Sequence, residues 1–316
     1  MNPRTHVRTA LLVATVAAVG CSKQSATSQA KAGATGGAPA TVEQSVDFTK
    51  AKPNGEDSVT EDATPKISGP VSFADGEAAY QATKYRDATA IFERYTVQRP
   101  KNPWGHYMLG LSAWKSGDLT KAEQAFEQAL AIDPEHVKSL VNLSRVFIEQ
   151  KKHDEAIDRL TRAAEIEPES VVVYRLLGRI HYVQGETDEA VKAYSRAIEL
   201  NELDAWSMNN LGLVYLETQR PGDALQWFAK AVELKKDVAA FHNNLGMALE
   251  HTGRFRAAAT AYTSALAADA GYAKAKQNLA RVEAVKSGPE EPFVIEPAAR
   301  TVGGAEFEAD GQTASK

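Results

Sequence analysis

One pattern repeats through about two-thirds of the chain and constrains its fold more than any other feature. An alanine, a bulky apolar residue and a third small or apolar residue recur in the same order every 34 residues, without a slip. The six sets are Ala88–Phe92–Tyr95, Ala122–Phe126–Ala129, Ala156–Leu160–Ala163, Ala190–Tyr194–Ala197, Ala224–Phe228–Ala231 and Ala258–Tyr262–Ala265. Residues three and four apart share one face of a helix, so each set predicts a buried helical stripe. A fixed period of this length predicts a protein of stacked helical units.

Two further markers occur in the same frame. A leucine and a small residue precede the last five sets, at Leu109-Gly110, Leu143-Ser144, Leu177-Gly178, Leu211-Gly212 and Leu245-Gly246. Proline follows three sets, at Pro100, Pro134 and Pro168, where it ends a helix because it lacks an N–H. Small residues let two helices approach closely, and the bulky residue fills the space beside them. Each unit is therefore predicted to be a helical hairpin, with Gly117, Gly185 and Gly253 in the turns.

The period and these residues resemble the tetratricopeptide repeat, whose pattern is Trp, Leu-Gly, Tyr, Ala, Phe, Ala and Pro. The resemblance implies an all-α fold, a right-handed superhelical solenoid of about six helix-turn-helix units over residues 69–272. The units are 69–102, 103–136, 137–170, 171–204, 205–238 and 239–272. The first is the poorest, with Gly76-Glu77 where Leu-Gly is expected, which predicts a frayed or misframed first helix. Residues 273–287 are predicted to form a polar capping helix.

The N-terminal residues 1–20 have the composition of an export signal. Arg4 and Arg8 precede an apolar run that is too short to span a bilayer comfortably. The run ends at Ala18-Val19-Gly20-Cys21, which resembles a bacterial lipobox, although that motif prefers leucine where Ala18 stands. We therefore predict a lipoprotein signal peptide and lipidation of Cys21, with an ordinary secretory signal as the alternative. Ser22 after the cysteine favours the outer membrane, facing the periplasm, by resemblance to the enteric sorting rule.

Residues 21–68 and 288–316 differ from the repeats in composition. Both are rich in small residues, with few large apolar ones, and are interrupted by glycine and proline. Such segments bury too little surface to offset their chain entropy, which predicts a disordered tether and a disordered tail. Two short stretches remain open as binding segments, one around Val42–Phe48 and one at Pro292–Ile295.

The resemblance also indicates a binding surface. In the tetratricopeptide-repeat family, positions 2, 5, 9, 12 and 13 of each first helix line a concave groove, and a bound protein segment lies there. At these positions the candidates for a partner-binding groove are Trp104, Tyr107, Trp114, Arg145, Arg175, Arg179, Tyr182, Trp206, Asn209 and Asn243. Arginine binds carboxylates through paired donors, and aromatic rings supply contact area at low entropic cost. We therefore predict a protein or peptide partner with acidic and apolar groups.

A structural interpretation of the same residues stays open. The aromatic rings would then fill gaps between helices, and the arginines would pair with neighbouring glutamates. Asn142, Asn210, Asn244 and Asn278 recur in one frame, and for these we expect hydrogen bonds that join adjacent units.

Charge and motif content exclude several function classes. The net charge of −5 argues against general nucleic-acid binding, and Cys21 as the only cysteine leaves no intrachain disulfide or cysteine-based zinc site. No phosphate loop, His-Glu-x-x-His helix or nucleophile elbow occurs, so we expect no catalysis and no cofactor. The sequence predicts a membrane-anchored adaptor of the bacterial cell envelope, in plan similar to the pilotins of type IV pilus biogenesis or to adaptors of peptidoglycan enzymes. A targeting subunit of an enzyme complex and a glycan- or peptidoglycan-binding protein remain as alternatives.

Overall fold

The computed structural model describes residues 69–285 of the chain. The predicted signal peptide, Cys21, the tether, Val42–Phe48, Pro292–Ile295 and the tail of residues 288–316 lie outside this range. Within it the chain forms thirteen helices and no strand. They are α1 (Phe73–Gln81), α2 (Tyr85–Gln98), α3 (Pro103–Lys115), α4 (Leu119–Ile132), α5 (Val137–Glu149), α6 (His153–Ile166), α7 (Val171–Gln184), α8 (Thr187–Leu200), α9 (Ala205–Glu217), α10 (Pro221–Leu234), α11 (Ala239–His251), α12 (Phe255–Ala268) and α13 (Ala273–Val285).

The first twelve helices form six hairpins, and α13 follows them. The second helix of each hairpin begins 34 residues after the second helix of the previous one. From α3 onwards the first helices keep the same spacing. Each helix packs mainly on the helices next to it in the sequence, with weaker contacts between successive first helices. The predicted all-α helical-repeat fold is confirmed.

In five of the six hairpins, the core contains a close contact between a glycine and an aromatic side chain. A Cβ atom placed on the glycine would lie only 2.5–2.7 Å from the opposing aromatic ring. The pairs are Gly76–Phe92, Gly110–Phe126, Gly178–Tyr194, Gly212–Phe228 and Gly246–Tyr262. In the third hairpin the frame carries Ser144 instead of glycine, and Leu160 instead of an aromatic ring. The third hairpin therefore pairs a residue that has a Cβ, Ser144, with Leu160, whose side chain is smaller than an aromatic ring.

The first hairpin is in frame, which corrects the expectation of a misframed helix. Gly76 itself occupies the glycine position and meets the Phe92 ring, so Asp75 replaces the leucine. Helix α1 is short because it begins at Phe73, after Ser72. The Ser72 hydroxyl accepts a hydrogen bond from the Asp75 N–H, and the Asp75 carboxylate accepts one from the Ser72 N–H. This reciprocal cap fixes the start of the helix.

The turn inside each hairpin passes through one left-handed residue. Gly117, Gly185 and Gly253 have φ angles of 90°, 77° and 76°, as the sequence predicted. The other three hairpins have Thr83, Lys151 and Gln219 at the equivalent place, with φ angles of 60°, 62° and 59°. A side chain disfavours this conformation because Cβ crowds the backbone. These three turns are therefore held by the packing of the hairpins around them.

Helix α13 closes the C-terminal side of the sixth hairpin. Ala275 and Val282 are buried against it, whereas most of the other α13 side chains are exposed. Arg281 of α13 makes a two-bond ion pair with Glu250 of α11, with both N–O distances at 2.8 Å. Among residues 69–285, no helix combines the length and hydropathy needed to cross a bilayer.

Candidate functional site

The three predicted arginines come together on adjacent first helices. Arg145 lies on α5, and Arg175 and Arg179 lie one turn apart on α7. Burial, and then the positive charges of Arg175 and Arg179, lower the pKa of Arg145. Burial also lowers the pKa of Arg179, against the opposing influence of Tyr194 and Glu149. The influence of Arg175 and Arg179 on Arg145 indicates that the three guanidinium groups lie close together in a partly dehydrated place.

The arginines differ in how their charge is balanced. Arg175 donates from Nη1 to Oδ1 of Asp204 at 2.7 Å, and the Asp204 side chain is only 4% exposed. The second oxygen of Asp204 accepts a hydrogen bond from the Ser207 hydroxyl. Arg145 has no such counterion: its Nε is buried without a hydrogen-bond partner, and no described carboxylate forms an ion pair with it. The positive charge of Arg145 therefore has no carboxylate partner among the described residues.

Two aromatic residues, Trp104 and Tyr107, lie on α3, the first helix before that of Arg145. Trp104 packs edge-on against Tyr107, with ring centroids 5.7 Å apart, and against His136 at 4.6 Å. Trp104 remains 44% exposed. Tyr107 is more buried, and burial raises its pKa although Arg145 and Asn142 act in the opposite direction. We call the set Trp104, Tyr107, Arg145, Arg175 and Arg179 the cationic wall.

Trp114 and Tyr182 use their polar atoms to join units. The Trp114 indole Nε1 donates to Oε1 of Glu149 at 2.8 Å, across 35 residues. Burial raises the pKa of Tyr182, and its hydroxyl donates to Glu217, which also lies 35 residues ahead. Both rings also pack against the hydrophobic core. The polar atoms of Trp114 and Tyr182 are therefore already paired with glutamates of the next unit. The two residues lie beside the cationic wall and offer a ligand no free donor.

A family comparison can be set beside this geometry. Residues 26–315 match the tetratricopeptide-repeat family described as the Cilia and flagella-associated protein 70 C-terminal domain. The chain belongs to this tetratricopeptide-repeat family. No curated protein shows significant sequence similarity to it.

Solved structures of tetratricopeptide-repeat proteins share the fold. The APC/C hetero-tetramer Cut9-Hcn1 aligns at a TM-score of 0.56 and 21% identity, covering 67% of this chain and 42% of that chain. PilF of Pseudomonas aeruginosa aligns at a TM-score of 0.53 and 22% identity, covering 58% and 83% of the two chains. MamA aligns at 0.48 and 26% identity, covering 52% and 97%. These likenesses concern the fold alone.

Asn209 and Asn243 of this tetratricopeptide-repeat domain do not face a partner, which corrects the sequence-based assignment. Both are buried, at 2% and 0% exposure. The Asn209 carbonyl oxygen accepts a hydrogen bond from Asn244, and that of Asn243 accepts one from Asn278, each at 2.9 Å. Their first-helix positions point towards the next unit, so the side chains join hairpins instead of lining an open surface.

The recurring asparagines do join units, with one informative exception. Asn142 lies 3.4 Å from the Tyr107 hydroxyl, so three of the four reach across 35 residues to an acceptor. Asn210 is the exception, because its amide nitrogen makes no hydrogen bond to the equivalent residue of the preceding unit. The residue 35 positions before it is Arg175, whose side chain offers no acceptor. At the position of Arg175, the hydrogen bond that joins the other units is therefore missing.

Trp206 packs against the unit that follows it. It is 37% exposed and packs edge-on against Phe241, with ring centroids 4.9 Å apart. The structure therefore divides the ten predicted groove residues into the wall, the two unit-joining aromatics, two buried asparagines and this tryptophan.

Sequence reasoning missed three residues that shape the wall. Asp204 neutralises Arg175, His136 packs against Trp104 and Tyr107, and the Lys138 ammonium lies 5.0 Å from the Trp104 ring centroid. The available signal was their place at or just before the start of a first helix, where Asp204 and His136 immediately precede α9 and α5. Residues 69–285 contain no group of three His, Cys, Asp or Glu side chains that could hold a metal ion.

Proposed function

We propose that this protein is a non-catalytic adaptor that binds a segment of a partner protein on the cationic wall. The observation that carries the proposal is the Arg145 guanidinium, with its buried, unpartnered Nε and no described counterion. Leaving donors of a charged group unused is unfavourable, so a site of this kind gains most from a ligand that supplies acceptors.

The chemistry of the wall defines the partner segment. A carboxylate satisfies a guanidinium through two parallel hydrogen bonds, which makes acidic side chains the preferred ligands of Arg145. The 44% exposed ring of Trp104 offers apolar area on α3, the first helix before that of Arg145. Tryptophan and arginine are both enriched among the residues that contribute most to binding at protein interfaces. The partner segment should therefore carry at least one carboxylate and one apolar side chain close together.

The experiment uses a photo-reactive amino acid in place of Trp104 in the full chain, in the cells that produce it. Cross-linked proteins are identified by mass spectrometry, with and without Arg145→Gln. The matched control is Arg159→Gln, because Arg159 is an exposed arginine on the second helix of the same hairpin. A charge-assisted hydrogen bond contributes about 1.5–3 kcal/mol, so Arg145→Gln should weaken capture by about tenfold or more. Equal capture by the wild-type chain and by Arg145→Gln would refute the proposal.

We further propose that the adaptor works at the bacterial cell envelope, held there by lipid on Cys21. Support comes from the sequence: an apolar run after Arg4 and Arg8 ends at the only cysteine of the chain. Acylation converts an exported protein into one anchored to a membrane. The partner would then belong to an envelope assembly, such as one that builds a pilus, a secretion apparatus or peptidoglycan.

Lipidation has its own test, independent of the wall. Metabolic labelling with an alkyne fatty acid should mark the wild-type protein and the Ser22→Ala control, but not Cys21→Ala. After cell fractionation, Cys21→Ala should leave the membrane fraction. Label or membrane retention in Cys21→Ala would exclude the lipid anchor and leave the adaptor role unaffected.

A further inference from the structure

The cationic wall holds more positive than negative charge. Lys115 lies near Arg145, whose charge, after burial, lowers the pKa of that lysine. Against these cations stand three carboxylates: that of Asp204, used by Arg175, that of Glu149, used by the Trp114 indole, and that of Glu217, used by the Tyr182 hydroxyl. An acidic segment is therefore the natural ligand of the wall, and the chain itself contains one.

Residues 305–310 read Ala-Glu-Phe-Glu-Ala-Asp, and we call them the acidic segment. Glu306 and Glu308 flank Phe307, and Asp310 follows. The segment combines carboxylates with one aromatic ring, which is the combination that the wall is suited to bind. It lies in the part of the chain that follows the described residues.

Chain length selects this segment over the acidic residues nearer to α13. Arg179 and Arg145 lie on α7 and α5, three and four first-helix positions before α13. At about 10 Å between neighbouring helices, the wall is roughly 30–40 Å away. Glu291 follows Val285 by six residues and spans at most about 20 Å, and Glu296 follows it by eleven residues and reaches about 40 Å only when fully extended. Glu306 follows Val285 by 21 residues and spans up to about 70 Å, which is enough to reach both arginines.

We infer that the acidic segment occupies the cationic wall of its own chain, so that a partner must displace it. The inference rests on the proposed function, because it assigns an internal competitor to the same surface. A carboxylate from Glu306 or Glu308 pairs with Arg145, and Phe307 packs beside Trp104. Tethering supplies the segment at an effective concentration of about 1 mM, so even a weak contact is well populated.

The first experiment measures competition in the full-length chain. The probe is a fluorescein-labelled synthetic peptide of residues 302–312, and its binding is followed by fluorescence anisotropy. Glu306→Gln with Glu308→Gln should tighten probe binding by about threefold to tenfold, because the internal competitor is weakened. The matched control, Glu290→Gln with Glu291→Gln, removes the same charge from the same tail and should leave the affinity unchanged. In an Arg145→Gln background, the Glu306/Glu308 changes should have no effect.

The second experiment locates the segment directly. A photo-reactive amino acid at Phe307 should cross-link to residues near Trp104 and Arg145, and this cross-link should fall with Arg145→Gln but not with Arg159→Gln. A mixture of isotopically light and heavy protein distinguishes a contact within one chain from a contact between two copies. Light–heavy cross-links as the main product would overturn the inference in favour of a second copy.

The outcomes separate this inference from the proposed function. Unchanged probe affinity in the Glu306/Glu308 variant overturns the inference, even where capture of a partner through Trp104 depends on Arg145. Capture that ignores Arg145 refutes the proposed function itself. Probe binding that depends on Arg145 and tightens only when Glu306 and Glu308 are changed supports the inference.

Discussion

At the scale of single residues, the molecule is organised by contacts that leave no room for an added atom. The glycine of each tight hairpin lies against a ring that its own hairpin supplies, and the third hairpin keeps the balance by pairing Ser144 with Leu160. The sequence frame alone predicted these small–large contacts, because both partners recur at the same spacing. It misjudged Asn209 and Asn243, since residue type and position do not reveal whether a side chain points outward or into the next unit.

Gly178→Ala tests the tight contact. The new Cβ would lie 2.7 Å from the Tyr194 ring, so the change should lower the free energy of unfolding by about 1–3 kcal/mol. Gly222→Ala is the control, because no atom lies within 4 Å of its Cβ position, and it should be neutral or mildly stabilising. Urea denaturation measures both. If Gly178→Ala is as stable as the wild type, the hairpin has more room than the structure shows.

The pairing of serine with leucine that occurs in the third hairpin can be introduced into the fourth. Gly178→Ser combined with Tyr194→Leu reproduces the Ser144–Leu160 pair. The double variant should be more stable than the sum of the two single effects predicts, by about 0.5–3 kcal/mol of coupling. A double-mutant cycle by urea denaturation gives this value, and strict additivity would show that the two side chains do not share the same space.

His136 predicts a pH dependence. Its Nδ1 accepts from the Ser139 N–H and so caps α5, while burial lowers its pKa below the usual 6.5. Between pH 6.5 and the lower folded-state pKa, the unfolded chain binds more protons than the folded one. The contribution of neutral His136 is therefore complete above pH 6.5 and is lost as the pH falls through the folded pKa.

His136→Asn should remove this part of the pH profile, because asparagine caps a helix through an oxygen that does not titrate. The comparison is the difference in unfolding free energy between wild type and variant from pH 7.5 down to 5. As the pH falls, the wild type should lose more unfolding free energy than the variant. A difference that stays constant would show that His136 does not titrate differently in the two states.

At the scale of elements, the turns inside hairpins show one geometry reached by two kinds of residue. Glycine adopts the left-handed conformation freely in three hairpins, whereas Thr83, Lys151 and Gln219 adopt it in the others. The sequence predicted the glycine turns, because glycine is the usual residue there. It could not reveal that the other three turns are the same, since that follows from the helices on either side.

Lys151→Gly should therefore stabilise the protein, by about 1 kcal/mol, because it removes the crowding of Cβ in the left-handed region. Gly185→Ala introduces the same crowding and should destabilise by about 1–2 kcal/mol. Thermal unfolding followed by circular dichroism measures the two shifts. Opposite signs are the expected outcome, and shifts of the same sign would contradict the common turn geometry.

At the scale of the described domain, the hairpins form a chain of nearest-neighbour contacts. Hydrogen bonds that join units run across 35 residues, as in Asn244 to Asn209, and the weaker helix contacts reach only the next first helix. Stability in such an array is a sum of local and neighbour terms, so damage at one end should remain near that end. The 34-residue frame predicted this architecture, whereas the counterion of Arg175 came from a turn that the frame does not describe.

Val282→Ala probes this locality. Val282 is fully buried, and the truncation should cost about 1–2 kcal/mol, felt mainly by α11 and α12. Hydrogen exchange should rise in those helices and stay unchanged in α3–α6. Val285→Ala is the control, because Val285 is 47% exposed and should tolerate the change. A uniform rise across all helices would show that residues 69–285 unfold as one cooperative block.

The Arg175–Asp204 pair has a consequence for how the protein can diversify. Loss of Arg175 alone would leave the buried carboxylate of Asp204 without its counterion. We therefore expect substitutions at the two positions to occur together. No described carboxylate depends on Arg145 in this way. A single substitution at Arg145 can therefore change the chemistry of the proposed binding surface while the fold around it stays unchanged.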